Sequence, residues 1–146
     1  MENKFKIEID SNASNIAVVR VAIATFVSNL DISVDDLMDI KTAVSEAVTN
    51  TVEHAYENTS GSIFVDAKIV SGVEDVVTII VRDEGIGIGD IELATTPAYT
   101  SKPELEHAGL GFTIMESFMD QIEIDSAVNK GTTIKLTKII KKKKSV

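Results

Sequence analysis

Residues 62–70 and 75–82 read as two β-strands, and only Ser71-Gly72-Val73-Glu74 separates them. Four residues can close a hairpin but cannot carry a crossover helix, so these strands pair antiparallel and seed a sheet that is not all-parallel. A strand precedes them over residues 4–10, where Phe5, Ile7 and Ile9 alternate with Lys4, Lys6 and Glu8. Two helical segments lie between. The first carries Ile16, Val19, Ile23, Phe26, Val27 and Leu30 at helical spacing, but Val18, Val21 and Ala22 widen its apolar surface beyond one stripe. Arg20 is the only charge between Ser11 and Leu30. Such a helix either lies deep in the core or meets another chain, where its one cation could pair with a partner carboxylate. The second helix opens on Ser33 with Asp36 three residues on, a capping signal, and runs to about residue 56 or 57. Leu37, Ile40, Val44, Ala47, Val48, Thr51 and Ala55 share one side of it; Glu46, Asn50, Glu53, His54 and Glu57 share the opposite side.

Beyond the hairpin, residues 90–108 form an irregular connection that holds both prolines, Pro97 and Pro103, and its length suits a functional lid. A third helix over residues 112–119 follows Gly109-Leu110-Gly111. Ile122 and Ile124 then alternate with Glu123 and Asp125, Asn129-Lys130-Gly131 turns the chain, and residues 132–137 make a last strand. This order implies an α+β two-layer sandwich: a mixed, mostly antiparallel sheet with helices on one face. The expected organisation is a single domain over residues 1–146, of which 138–146 form a flexible basic tail.

With 44% hydrophobic residues, the 146-residue chain can build one core. The absence of cysteine excludes disulfides, thiolate metal sites and cysteine nucleophiles. A formal charge of −9 is not the electrostatic footprint of a nucleic-acid binder. The start lacks an apolar signal region and no run reaches membrane-spanning length, so the expectation is a cytoplasmic protein without membrane contact. The lysine-rich end, on an acidic body, reads as a solvated terminus, with contact to a membrane surface or an acidic partner as the alternative.

The stretch VRDEGIGIGD, residues 81–90, runs a strongly apolar strand into Asp83 and Glu84 and then into Gly85, Gly87 and Gly89. Loops that wrap phosphates use bare backbone N–H groups, and two carboxylates at the loop entrance would repel the anion. The spacing G-x-G-x-G departs from the dinucleotide fingerprint G-x-G-x-x-G, and no G-x-x-x-x-G-K-[S/T] occurs, which argues against a Rossmann fold and a P-loop. A carboxylate ending an apolar strand is costly without a partner. Asp83 either accepts a hydrogen bond from an exocyclic amine, with the glycines giving a flat ring room, or forms an ordinary turn. Glu46 and Asn50 emerge one helical turn apart on the same face. They suit Mg²⁺ completed by phosphate oxygens, or Glu46 could take the proton of an attacking hydroxyl, or both could simply be the polar face of a helix. His54 reads as a surface or hydrogen-bonded histidine. Gly109-x-Gly111 at a helix start is the better phosphate site, because free N–H groups and the helix dipole converge there.

Taken in order, Glu46-x-x-x-Asn50, Asp83-x-Gly85-x-Gly87, the long connection, Gly109-x-Gly111 and Gly131-Thr132 resemble the nucleotide-binding boxes of the GHKL ATPase and kinase superfamily. Within it, IKTAVSEAVTN, RDEGIGI, KPELEHAGLGFTIMESFMD and GTTIKLTK are similar to the anti-sigma factors of spore-forming bacteria that act as serine-protein kinases. The resemblance covers nearly the whole chain, up to Lys138. It implies a Bergerat-type ATP-binding fold, ATP or ADP and Mg²⁺ as cofactors, and a homodimer. It implies two further partners, a sporulation sigma factor that is held and inhibited and an anti-anti-sigma factor phosphorylated on serine. Position by position, it implies that Glu46 is the base that activates the serine and that Asn50 coordinates Mg²⁺. Asp83 would bind the adenine amino group with support from Thr132, and Gly85 and Gly87 would give backbone room to the nucleotide and the lid. Gly109 and Gly111 would approach the phosphates as the lid closes, and Arg20 would lie on a partner surface. This chain has Glu106-His107-Ala108-Gly109-Leu110-Gly111 where relatives carry Glu-Arg-Ser-Gly-Met-Gly, so a largely neutral imidazole replaces a permanently charged guanidinium. Lys102 is then the nearest fixed cation in the lid, either a phosphate contact or a solvated side chain. Two other readings keep the same boxes: a nucleotide-dependent binding module with negligible kinase activity, and a stress-response anti-sigma serine kinase. A histidine-kinase catalytic domain is disfavoured, because the only histidines are His54 and His107 and no helical hairpin with a phosphoacceptor histidine precedes the boxes.

Overall fold

The computed structural model describes residues 1–56, 59–95 and 111–141. Its elements are β1 (Glu2–Asp10), a 3-10 turn (Ala13–Asn15), α1 (Ile16–Val27), α2 (Val34–His54), β2 (Ser62–Val70), β3 (Glu74–Asp83), α3 (Ile91–Ala94), α4 (Gly111–Phe118), β4 (Gln121–Ala127) and β5 (Gly131–Lys141). The strands lie in the order β1-β2-β3-β5-β4. Every pairing among the described residues is antiparallel, which corrects the expectation of a mixed sheet. The connections explain this. Two helices between β1 and β2 reverse the chain once more than a single crossover helix would. The one long crossover after β3 delivers β4 at the far edge, and β5 then turns back between β3 and β4, antiparallel to both.

One face of the sheet is covered. Ile63, Val65, Ala67 and Ile69 of β2, Val77, Ile79 and Val81 of β3, and Ile134, Leu136 and Ile140 of β5 all point to it and are buried. They meet Ile40, Ala43, Val44, Ala47 and Val48 of α2, with Val19, Ile23, Phe26 and Val27 of α1 and Met115 of α4 completing the core. Burying each large aliphatic side chain contributes about 1.5–3 kcal/mol, so α2, packed against α1, α4 and the sheet, is the best-anchored helix. Its start is the expected one: the Ser33 hydroxyl accepts the Asp36 N–H at 3.1 Å. Its end comes slightly early, because the Ala55 carbonyl is claimed by the N–H of Ile86 at 2.9 Å instead of by another helical turn.

The structure answers only the first half of the question about α1. One side fills the core, whereas Val18 (51% exposed), Val21 (63% exposed) and Arg20 face outward. The last strand is longer than its sequence pattern implied, so residues 138–141 belong to the sheet and not to the basic tail. Ile140 is buried on the covered face. Lys138, on the same inward register, donates to the Phe118 carbonyl at 2.7 Å and pairs with Asp39 at 3.3 Å and Asp36 at 3.9 Å. Those partners make an inward lysine tolerable. Residues 142–146 lie outside the described residues.

Candidate active site

Antiparallel pairing of β3 with β5 sets Arg82 opposite Thr133, and so brings Asp83 at the end of β3 beside Thr132 at the start of β5. Both are almost enclosed, at 4% and 7% exposure. Asp83 Oδ1 accepts the Gly85 N–H at 2.9 Å, and the Thr132 N–H also points to this carboxylate. Burial pushes the Asp83 carboxyl above its ordinary range, against the opposing pull of those two N–H groups and the Arg82 charge. The C-terminal turns of α2 stand opposite. Asn50, Thr51, His54 and Ala55 line a cleft whose other wall is Asp83, Gly87, Ile88 and Thr132.

Backbone contacts between sequence-distant segments hold this cleft. A Cβ on Gly85 would collide with the Ala55 carbonyl at the end of α2, and one on Gly87, which has φ +74°, with the Ala127 carbonyl at the end of β4. The room these glycines leave is thus used first by the protein's own backbone. Tyr56 completes the anchorage. Its hydroxyl accepts the Glu84 N–H at 2.8 Å and donates to the Ser62 carbonyl at 2.6 Å, which ties the end of α2 to β2 and to the turn after Asp83. Burial raises the Tyr56 pKa further, so the phenol keeps the proton that the second bond requires.

Glu46, half-buried and one turn before Asn50, faces α4. A methyl group on Gly111 would lie 3.5 Å from Glu46 Oε2, an ordinary contact distance. The carboxylate therefore sits at the first residue of α4, where free backbone N–H groups point outward. Of the residues singled out from the sequence, Asn50, Asp83, Gly87 and Thr132 line one cleft, Gly85 borders it, and Glu46 lies near Gly111. Arg20 is exposed on α1 and does not line the cleft. Lys102, His107, Gly109 and both prolines lie outside the described residues. His54, expected to be a surface or hydrogen-bonded histidine, lines the cleft; its spacing of four from Asn50 is the signal that places it on that face. Ser126 and Tyr56 were not singled out at all.

Chemically, the cleft brings together a carboxylate and a hydroxyl from the sheet and an amide from α2, and a second carboxylate, Glu46, lies outside its lining near the start of α4. Among the described residues no group of three or more His, Cys, Asp or Glu could hold a metal. Asn50 and Glu46 offer instead one or two hard oxygen donors, the donor set that suits Mg²⁺ when substrate phosphates and water complete its octahedron.

The family model of the histidine kinase-like ATPase domain matches residues 9–138. The anti-sigma F factor of Clostridium kluyveri is 50% identical over 138 residues, which cover 94% of this chain and 95% of that protein. The anti-sigma F factor of Bacillus subtilis is 46% identical over 147 residues, covering 100% of this chain and 99% of that protein. The solved structure of the RsbU and RsbW domains of Rv1364c from Mycobacterium tuberculosis superposes with a TM-score of 0.67 at 22% identity, covering 99% of this chain and 34% of that one, a likeness of fold. With a family model spanning most of its length and relatives of nearly the same length about half identical to it, this chain belongs to the histidine kinase-like ATPase domain family and, within it, to the anti-sigma F factors.

Proposed function

We propose that this chain holds and inhibits a sporulation RNA polymerase sigma factor and uses Mg-ATP to phosphorylate a serine of an anti-anti-sigma factor. The observation that carries this reading is the convergence of Asp83, Thr132 and Asn50 on one cleft, with Glu46 at the start of α4, in a member of this family. Asp83 and Thr132 take the adenine end. Asn50 would hold Mg²⁺, which supplies charge neutralisation at the phosphates when bound. The N-terminus of α4 at Gly111, with Gly109 and Lys102 before it, receives the phosphates. Glu46 takes the serine proton as the serine oxygen bonds to the γ-phosphorus and the bond to the β-phosphate oxygen breaks, leaving ADP. Little covalent help is needed beyond in-line positioning, charge neutralisation and that base.

The outward face of α1, with Arg20 between Val18 and Val21, is the surface proposed for partners and for a second copy of the chain. Light scattering should give a dimer mass at micromolar concentration, and a monomer mass would remove the homodimer. No described helix is long and apolar enough to cross a membrane, and the net charge of −9 suits protein partners better than nucleic acid. A cytoplasmic location fits both. Incubation with Mg-ATP and an anti-anti-sigma protein, followed by mass spectrometry, should yield phosphoserine on that partner. Nucleotide-dependent binding without phosphoserine would reassign the chain to a binding module.

A further inference from the structure

We propose that Ser126, outside the boxes that define the site, makes this cleft choose adenine over 6-oxopurines by fixing the hydroxyl proton of Thr132; this rests on the nucleotide reading above. Ser126, near the end of β4, pairs with Thr132 across the β4–β5 ladder. Its Oγ accepts the N–H of Ile88 at 2.7 Å, stands 3.1 Å from the carbonyl oxygen of Gly131, and lies 2.8 Å from Thr132 Oγ1. A serine hydroxyl has one proton and two lone pairs. The Gly131 carbonyl can only accept, so it takes the Ser126 proton, and the Ile88 N–H occupies one lone pair. The remaining contact still needs a proton, and only Thr132 can supply it. One arrangement satisfies every contact.

The consequence is polarity. With its proton committed to Ser126, Thr132 turns lone pairs to the cleft, beside the carboxylate of Asp83, which as an anion is also an acceptor. Two neighbouring acceptors match the 6-amino group of adenine, directly or through a water that passes its other proton to ring N1. A 6-oxopurine inverts both positions, with a carbonyl at C6 and a proton on N1. Its oxygen would face acceptors, unless the Thr132 hydroxyl could rotate and donate. Ser126 prevents that rotation and acts as a positioning residue, with no need to touch the base. The same oxygen, through Ile88, holds the glycine turn against β4, so a purely structural role has to be separated from the specificity role.

The separating measurement is the affinity of the intact chain for ATP and for ITP, each by titration calorimetry. Wild type should prefer ATP. Ser126→Ala should narrow that preference about tenfold, the worth of one hydrogen bond changed from mismatched to matched. Ser126→Thr, which keeps the hydroxyl, should preserve it. An equal loss for both nucleotides in Ser126→Ala, with the ratio unchanged, would overturn the proposal. Should Ser126→Ala fail to fold, Thr132→Val decides: a narrowed ratio supports the polarity argument, and an unchanged ratio overturns it. Wild type binding neither nucleotide would sink the nucleotide reading itself, a failure distinct from an unaltered ratio.

Discussion

Asp83→Asn is expected to weaken ATP binding by about 10- to 100-fold while leaving the ligand-free fold at least as stable at pH 7. The asymmetry follows from the hydrogen bonds. The carboxylate accepts from the backbone N–H groups of Gly85 and Thr132 and still has an acceptor lone pair for a ligand amine. An amide has one acceptor oxygen. In the ligand-free chain that oxygen can face the two N–H groups, and the NH₂ faces the cleft and its water. When adenine arrives, its amino group then meets another donor. Stability changes in the other direction. Burial raises the folded pKa of Asp83 above the ordinary 3.8, so between 3.8 and that raised value the folded chain binds more protons than the unfolded one. The stability owed to a neutral Asp83 is therefore complete below 3.8 and falls away as pH rises through that window. Asn never ionises. Thermal melts should show the variant's advantage over wild type at pH 7 shrinking as the pH is lowered through the window. Unchanged ATP affinity would return residues 83–85 to an ordinary turn.

What the sequence disclosed and what it hid divide along contact distance. The Ser33 cap, the β2–β3 hairpin and the Asn129-Lys130-Gly131 turn are local, and each was legible because short-range backbone chemistry decides it. The boxes holding Asp83 and Thr132 were legible as motifs, but their adjacency depends on β5 entering between β3 and β4, which no local pattern states. Lys138 read as the start of a solvated tail because the carboxylates that let it point inward, Asp36 and Asp39, are roughly a hundred residues away. Ser126 is an instructive miss. Once the turn is centred on residues 128–130, counting back along the hairpin pairs Ala127 with Gly131 and Ser126 with Thr132, so its place beside the site was within reach of the sequence. The glycine stretch shows the reverse. Its need for small residues was plain, but the atoms that impose it, the carbonyls of Ala55 and Ala127, belong to α2 and β4.

Glu46→Gln is the substitution expected to have the largest effect on turnover. The amide keeps the shape of the side chain and its place beside Gly111 but cannot take up a proton, so phosphotransfer to serine should fall by about 10²- to 10⁴-fold, the range that a positioned general base supplies. ATP affinity should stay within a few-fold of wild type, because the proposed adenine end, Asp83 and Thr132, is left untouched. The alternative, that Glu46 serves Mg²⁺ beside Asn50, makes a different forecast. The variant would then lose ATP affinity in the presence of Mg²⁺ and keep it in EDTA. Two measurements therefore decide the residue's role: single-turnover phosphotransfer, and ATP titration with and without the metal. Slow transfer with metal-independent affinity assigns the proton to Glu46. Near wild-type transfer would mean that the serine is activated by some other group, and that the carboxylate at the start of α4 serves only to pack and orient that helix.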